Sequence, residues 1–593
     1  MTALQSGKIP AESLQASRWL DRGITLAVVL ACATALSLNL ADPDLWGHIQ
    51  YGRDALQNGL SATTTYSYVA EGYAWVNHEI LAELGLAIVN DHFGGPGLLL
   101  MKVLAGVAVV LLVRRQSLQQ HAGLVASCAI MLLVAACLGR HWSLRPQLVS
   151  YVSFALLLSL LSWCFRGWEG EWQLRLSGSK SAAAELSYDS GRMRSLWLVP
   201  ILMMVWTNSH GGFLAGLCVY IAYLGLRGIE VVSQRGWDAW GLLKRFALMA
   251  TAAVAATFIN PYGPGFHVWL WHDLKVPRPE ILEWRAPDFA DPQTLPFVVM
   301  GCLWLACLTL SRRRQDWTQN VILALILWQA VTHHRHMAFF AIAAGFWLPG
   351  HLQSLLERFG AGASDTSLGS TLSPRARVAF AGVLLAAIVL CGVQLGARVS
   401  QLQVDRQTYP VAAFDYIAER GLTGRMVVTF NWAQYALAAF GPQQAGQPGL
   451  LVHVDGRCRT SYSQAMLDEH FDFILGRFDP EQRYRDPASG AFEPGRILAS
   501  GEPDLVLIAR AQQPSVEVMQ SQGPAWALLY QDDLAQVWGR ATRFDDPTSS
   551  SYLSPAERSI GSAPQTGYAA WPALPVYRYR VGVSHGQRVL AAK

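Results

Sequence analysis

Charge is scarce in this chain: Asp, Glu, Lys and Arg make up only 15% of its 593 residues, against roughly 25% in soluble domains. The formal net charge of +4 is too small to point to nucleic acid, so no nucleic-acid partner is expected. Several motifs are missing: there is no Walker-type phosphate loop, no Rossmann glycine fingerprint, no HExxH and no GxSxG. Energy from nucleotide hydrolysis is therefore not expected of this chain. Of nine cysteines, eight (Cys32, Cys128, Cys137, Cys164, Cys218, Cys302, Cys307 and Cys391) lie in or beside apolar runs. Cys458 is left alone in the polar C-terminal part, which excludes a disulfide framework there. No fixed-period repeat is evident. The first apolar run starts near Gly23 and continues without a convincing small-residue cleavage site, so it reads as a retained span.

What the chain has instead is apolar length. Apolar residues make up 52%, and 22 tryptophans supply a residue that concentrates at membrane interfaces. Apolar runs near the roughly 20 residues needed to cross a bilayer fall at 23–41, 96–113, 122–139, 147–165, 195–209, 212–228, 245–260, 294–311, 318–333, 337–355 and 378–397. The two around "TNSHGG" read equally as one broken segment. In an eleven-span arrangement the basic clusters, from Lys8, Arg18 and Arg22 to Arg312–Arg314 and Arg375, fall on one side, assigned to the cytoplasm with the N-terminus. The other side receives the loops rich in histidine, acids and amides, and is the expected working face.

These patterns predict a polytopic α-helical membrane protein with about eleven transmembrane helices and a C-terminal extracytoplasmic α/β domain. Residues 1–22 form the cytoplasmic N-terminus, and 23–398 the membrane domain, with interfacial helices in the first external loop (42–92). Strand-like runs such as "GRMVVTF" and "PDLVLIAR", punctuated by Gly, Pro and Asp, place the α/β domain at 399–542. Residues 543–593 read as a loosely ordered tail.

Candidate residues gather in the external loops. In "DPDLWGHIQYGRD", Asp44 is placed to cap a helix over 45–57, with Asp42 beside it and His48 and Tyr51 on the same stripe at i+4 and i+7. "NHE" brings Asn77, His78 and Glu79 to a second interfacial helix, on which Glu83 reads as an ordinary solvated face. "GRHWSLRP" carries Arg140, His141 and Arg145, a grip suited to phosphate. "TNSHGG" and "THHRHM" add Asn208, His210, His333, His334, Arg335 and His336, with Arg335 a further phosphate ligand. Glu280, Glu283, Arg285 and Asp288 in the long loop after "INPYG" are candidates for acceptor contact. "HVDGR" reads most simply as a turn.

An acid just past the first span, two interfacial helices, about a dozen spans and an external C-terminal domain together resemble the GT-C membrane glycosyltransferases. Protein O-mannosyltransferases, oligosaccharyltransferase catalytic subunits and lipid A aminoarabinose transferases belong to that class. The resemblance implies a polyprenyl-phosphate-linked sugar donor, an extracytoplasmic acceptor and a bacterial inner-membrane location. It makes Asp44 the main catalytic carboxylate, with Asp42 and Glu79 assisting. The reaction runs with or without a divalent metal (Mg or Mn), for which Asp44 and Glu79 are the candidate ligands. The adjacent Asp-Glu pair of the mannosyltransferases and the WWD-type motif of the oligosaccharyltransferases are absent, so peptide N-glycosylation is not expected. A transporter or flippase of lipid-linked glycans, a glycan polymerase or ligase, and a non-enzymatic scaffold remain as alternatives.

Overall fold

A computed structural model describes residues 11–168, 190–360, 373–441, 449–477 and 483–575. The chain divides into two compact units, one of residues 1–39 with 78–401 and one of 40–77 with 402–593. The tail beyond 575 and the first ten residues lie outside the described part.

In the first unit the apolar runs are helical among the described residues, broken where proline and glycine interrupt them, as at Pro349 and Gly350 within the run 337–355. Among the described residues, five helices are long and apolar enough to cross a membrane: Ile80–Gln119, Gln147–Cys164, Phe213–Ser233, Pro292–Leu310 and Pro374–Val399. A sixth is obtained if His334–Trp347 and Pro349–Arg358, which meet at 61°, count as one span. Leu124–Gly139, Leu198–Thr207, Trp240–Ala256 and Trp317–Thr332 are apolar helices of 10 to 17 residues. The first helix, Ala11–Ala35, carries Arg18, Asp21 and Arg22 in its first half. Met337–Trp347 lies at the centre, with all eleven residues buried, whereas Pro374–Val399 buries none of its residues and presents an apolar surface suited to lipid.

The second interfacial helix and the span after it are joined end to end in Ile80–Gln119. They are separated at Gly94, whose φ of 63° only glycine adopts without strain, with Pro96 two residues further on. Glu83, expected on a solvated face, is buried with 3% exposure.

The second unit is an α/β domain. Its main sheet has the order β3-β2-β4-β6-β5-β7, where β2 is Gly424–Val428, β3 Leu450–Val452, β4 Leu505–Ala509, β5 Trp526–Gln531, β6 Ala535–Arg540 and β7 Ser559–Ile560. β2, β3 and β4 run parallel, and β6 is antiparallel to both its neighbours. Alternate residues serve two cores. Met426 and Val428 face the helices Val411–Glu419 and Ala433–Phe440, while Val427 and Val506 face Gln464–Ile474 and Gln513–Ser521.

Residues 40–77 are built into this unit rather than into the helical one. Leu40 bridges Gln403 in β1 (Gln403–Asp405), and the backbone around Ser67 extends the sheet beside β3 through Tyr68 N–H to Val452 O and Val452 N–H to Tyr66 O. The helix Leu45–Asn58 packs on Ala433–Phe440. Trp46 is buried among Tyr409, Tyr435 and Trp571 and donates to the Pro572 carbonyl at 2.9 Å. The stretch from 543, expected to be loosely ordered, contributes β7 and also β8 (Tyr568–Ala570), which pairs with β1. An apolar core residue such as Trp46 outweighs the polar composition around it in deciding where its helix goes.

Candidate active site

Asp42 and Asp44 divide the work at the head of helix Leu45–Asn58. Asp42 Oδ1 accepts the Asp44 backbone N–H at 3.0 Å, an Asx turn that starts the helix. Asp44 has helical backbone angles, and its side chain makes no capping bond, contrary to the expected cap. Its carboxylate lies against the turn "DGR": a Cβ on Gly456 would sit 2.7 Å from Asp44 Oδ1 and 2.3 Å from Gln434 Nε2. Only a residue without a side chain lets the backbone approach this closely.

The flanks of Gly456 are held rigidly. Arg457 forms a two-pronged pair with Asp455 (2.8 and 2.7 Å), and the Tyr462 hydroxyl donates to the same carboxylate at 2.6 Å. The Arg457 guanidinium lies over the rings of Tyr51, Tyr66, Trp75 and Tyr462 at 4.7–5.7 Å. Burial by itself would raise the Asp455 carboxyl, but Arg457 and Tyr462 hold it below the ordinary range. Tyr51, a pocket candidate from its stripe, is thus a wall of this box, with its hydroxyl 3.5 Å from Asp455. His48 stands edge-on to Tyr51, ring centres 6.5 Å apart.

In the helical unit, Glu79 collects two of the predicted histidines. His78 Nε2 is 3.9 Å and His210 Nε2 3.7 Å from Glu79 Oε1. His78 stacks on Phe266 and leans on Trp269. Carboxylate oxygens of Glu79 and Glu83 lie within 4.8 Å of each other. Two hard oxygen donors so close, one of them buried, fit a divalent cation of the Mg or Mn class. Asn208 is not part of this group: it gives both amide protons to the carbonyls of Met204 and Ile259, and its own carbonyl accepts from Leu81.

Arg140 and Arg145, expected to hold phosphate, are each paired with an acid. Arg140 pairs with Asp291 at 2.5 Å and Arg145 with Glu283 at 3.0 Å. Arg278 and Arg335 both lie over the Trp284 ring, at 4.7 and 4.6 Å. The Arg285 carbonyl accepts from His334 N–H at 2.8 Å, which ties the long loop to the "HHRH" turn. Glu283 and Arg285, expected to meet an acceptor, therefore hold this cationic group together. His333 and His336 are neighbours in the turn, ring centres 5.9 Å apart. His141 packs 4.6 Å from His334. Burial, with His334 and Arg140 beside it, lowers its pKa to about 3, so His141 is neutral and offers a hydrogen bond rather than a charge.

The sequence singles out neither Arg457 with its walls Tyr66, Trp75 and Tyr462, nor Ser150 and Trp206 beside His210. Each joins segments far apart in the chain, and the glycine spacing in "HGGFLAG" was the only local signal.

No protein-family model matches the sequence, and no curated protein matches it. Solved structures do. The archaeal oligosaccharyltransferase AglB from Archaeoglobus fulgidus, in complex with an inhibitory peptide and a dolichol-phosphate, matches with a TM-score of 0.50 at 11% identity, over 83% of this chain and 69% of that one. The apo form of the Archaeoglobus fulgidus oligosaccharyltransferase gives a TM-score of 0.50 at 11% identity, over 94% and 75%. ArnT from Cupriavidus metallidurans bound to undecaprenyl phosphate gives 0.46 at 13% identity, over 88% and 98%. The likeness to the two Archaeoglobus fulgidus structures is one of fold.

Proposed function

We propose that this protein is a GT-C-type glycosyltransferase that moves a sugar from a polyprenyl-phosphate carrier to an extracytoplasmic acceptor, with Asp44 as the catalytic carboxylate. The observation that carries the assignment is that Asp44 heads a helix without capping it, while a glycine keeps the facing backbone clear of its carboxylate. A carboxylate positioned by a close backbone approach rather than by capping its own helix is placed as a reactive group is.

In the reaction the acceptor hydroxyl oxygen forms a bond to the anomeric carbon as the bond from that carbon to the phosphate oxygen breaks. The hydroxyl proton passes to Asp44, and the electron pair leaves on the lipid phosphate. Arg335, with Arg140 and Arg145, neutralises the departing phosphate, and His141 contributes a neutral donor. Their acidic partners Glu283 and Asp291 hold the guanidiniums in place and exchange with the phosphate as it binds. Within the helical unit, Glu79 and Glu83 would hold a divalent ion, which would supply further positive charge. The fold supports placing the protein in a membrane as a multi-pass chain, and the basic-residue pattern supports a bacterial inner membrane with the α/β unit outside the cytoplasm.

The test uses membranes carrying the full chain and radiolabelled undecaprenyl-phosphate-linked hexoses and pentoses. Asp44→Asn is expected to insert and fold but to lower transfer by about a hundredfold or more, the scale of a lost general base. Wild-type rates in Asp44→Asn would remove the catalytic assignment. Movement of labelled lipid across vesicles without covalent transfer would favour the flippase alternative.

A further inference from the structure

His210 sits at the end of a chain of donors that leaves only one of its nitrogens able to carry the proton. The Trp206 indole Nε1 donates to Ser150 Oγ at 2.7 Å. An indole N–H can only donate, and Ser150 Oγ, having accepted it, also lies 2.7 Å from His210 Nδ1. The backbone N–H of Gly212, also donor only, points at the same Nδ1 at 3.0 Å. That backbone donor requires Nδ1 to be unprotonated, so the Ser150 hydroxyl donates to it as well, and in the neutral ring the proton is on Nε2. Nε2 is the atom that faces Glu79 Oε1 at 3.7 Å.

The space for this chain is made by glycines. A Cβ on Gly212 would fall 2.4 Å from Ser150 Oγ and 3.0 Å from His210 Nδ1, and one on Gly216 would fall 2.3 Å from the Trp206 ring. Ser150, Trp206 and their hydrogen bond are fully buried. The Ser–His–Glu order is not that of a hydrolase, because Ser150 gives its hydrogen toward the histidine but has no room for a substrate carbonyl.

We propose that Trp206, Ser150 and Gly212 lock His210 in its Nε2–H form, making it a positioning residue that presents one fixed proton to Glu79. The consequence is twofold. His210 cannot ligate a metal through Nε2, since that atom offers a proton and not a lone pair. It can only orient the Glu79 carboxylate, whether Glu79 meets an acceptor hydroxyl or a cation, and the 3.7 Å separation closes to a hydrogen bond when the site is filled. This role for Glu79 rests on the glycosyltransferase reading; the locked proton does not.

The test has two arms on the full-length protein in lipid nanodiscs. In the first, histidine labelled with 15N is measured by solid-state NMR, with the His210 signal identified by its loss in His210→Gln. The expected spectrum shows a bare Nδ1 and a protonated Nε2, and Ser150→Ala together with Gly212→Pro, which removes both donors, releases Nδ1–H. A protonated Nδ1 in the wild type would overturn the proposal. In the second arm, His210→Ala is expected to lower the transfer rate at saturating donor by about tenfold while leaving the half-saturating donor concentration within about twofold. His210→Gln, whose amide places an N–H near the Nε2 position, is expected to recover most of the rate, and His210→Asn is not. Equal loss in His210→Gln and His210→Ala, at equal melting temperatures, would overturn the positioning role. If the wild type transfers no sugar, the functional reading fails, and the NMR arm still decides the lock.

Discussion

At the scale of single residues, the carboxylate that matters is defined by what its neighbours are doing. Asp42 and Asp44 are indistinguishable by composition, yet the first is used in an Asx turn and the second is held against Gly456. Gly456→Ala separates position from presence. The new methyl collides with the ends of Asp44 and Gln434, both of which can turn aside, so stability should change by less than about 1 kcal/mol. Transfer should fall by about tenfold or more, because the carboxylate itself has moved. Measuring melting temperature and rate on the same preparation checks both expectations. The acids were legible from the sequence as a pair at a membrane exit. Which one serves as turn and which as site was not, because the deciding contact comes from a residue some four hundred positions later.

At the scale of elements, long apolar runs located the helices, and short ones bounded by Gly, Pro and Asp located strands of the α/β unit. Periodicity reports a residue's nearest neighbours along the chain, and those decide whether a segment is helix or strand. It cannot report partners across the fold. Arg227 reads as one more basic residue in a cytoplasmic cluster, yet it is buried in helix Phe213–Arg235 with Glu230 at 2.9 Å, the Tyr223 hydroxyl at 3.0 Å and Asp316. Its guanidinium joins that helix to the start of Trp317–Thr332, where Asp316 also caps. Arg227→Met would leave Glu230 buried without its counter-charge, an effect on the order of 3–5 kcal/mol. The melting temperature of the detergent-solubilised protein should drop accordingly, and an unchanged value would show that the network is not structural. Glu83 teaches the same lesson in reverse: its spacing suggested water, and the packing of its helix removed it from water.

At the scale of the whole molecule, buried histidines should make the fold sensitive to acid, and the α/β unit offers the sharpest case. In the α/β unit His453 and His470 are fully buried, stacked 5.5 Å apart between ring centres, with none of their four ring nitrogens bonded among the described residues. Glu469 approaches His453 Nε2 at 3.9 Å, and Tyr68 packs edge-on. Burial lowers the His453 pKa to about 3, and burial with His453 beside it lowers that of His470 too. Both therefore stay neutral when folded and charge only when unfolded. The folded state loses stability as pH falls below the unfolded value of about 6.5, by up to about 1.4 kcal/mol per pH unit for each histidine. Melting temperature measured from pH 7 to pH 5 should fall, and His453→Phe with His470→Phe should flatten the slope. A slope unchanged by that pair of substitutions would assign the acid sensitivity elsewhere.

The division of the chain has a consequence for how the protein is made. Residues 40–77 belong to a unit whose remaining parts begin at 402. A ribosome adding roughly 5–20 residues per second reaches those parts on the order of 20 to 60 seconds after the early segment has emerged. During that interval Trp46, Tyr51 and the edge formed by 66–68 have no sheet to join, while the helices between are being inserted. The early segment therefore waits as an unfolded, aromatic-rich loop. Its maturation depends on the last third of the same polypeptide, which makes late truncations as damaging to Asp44 as substitutions beside it.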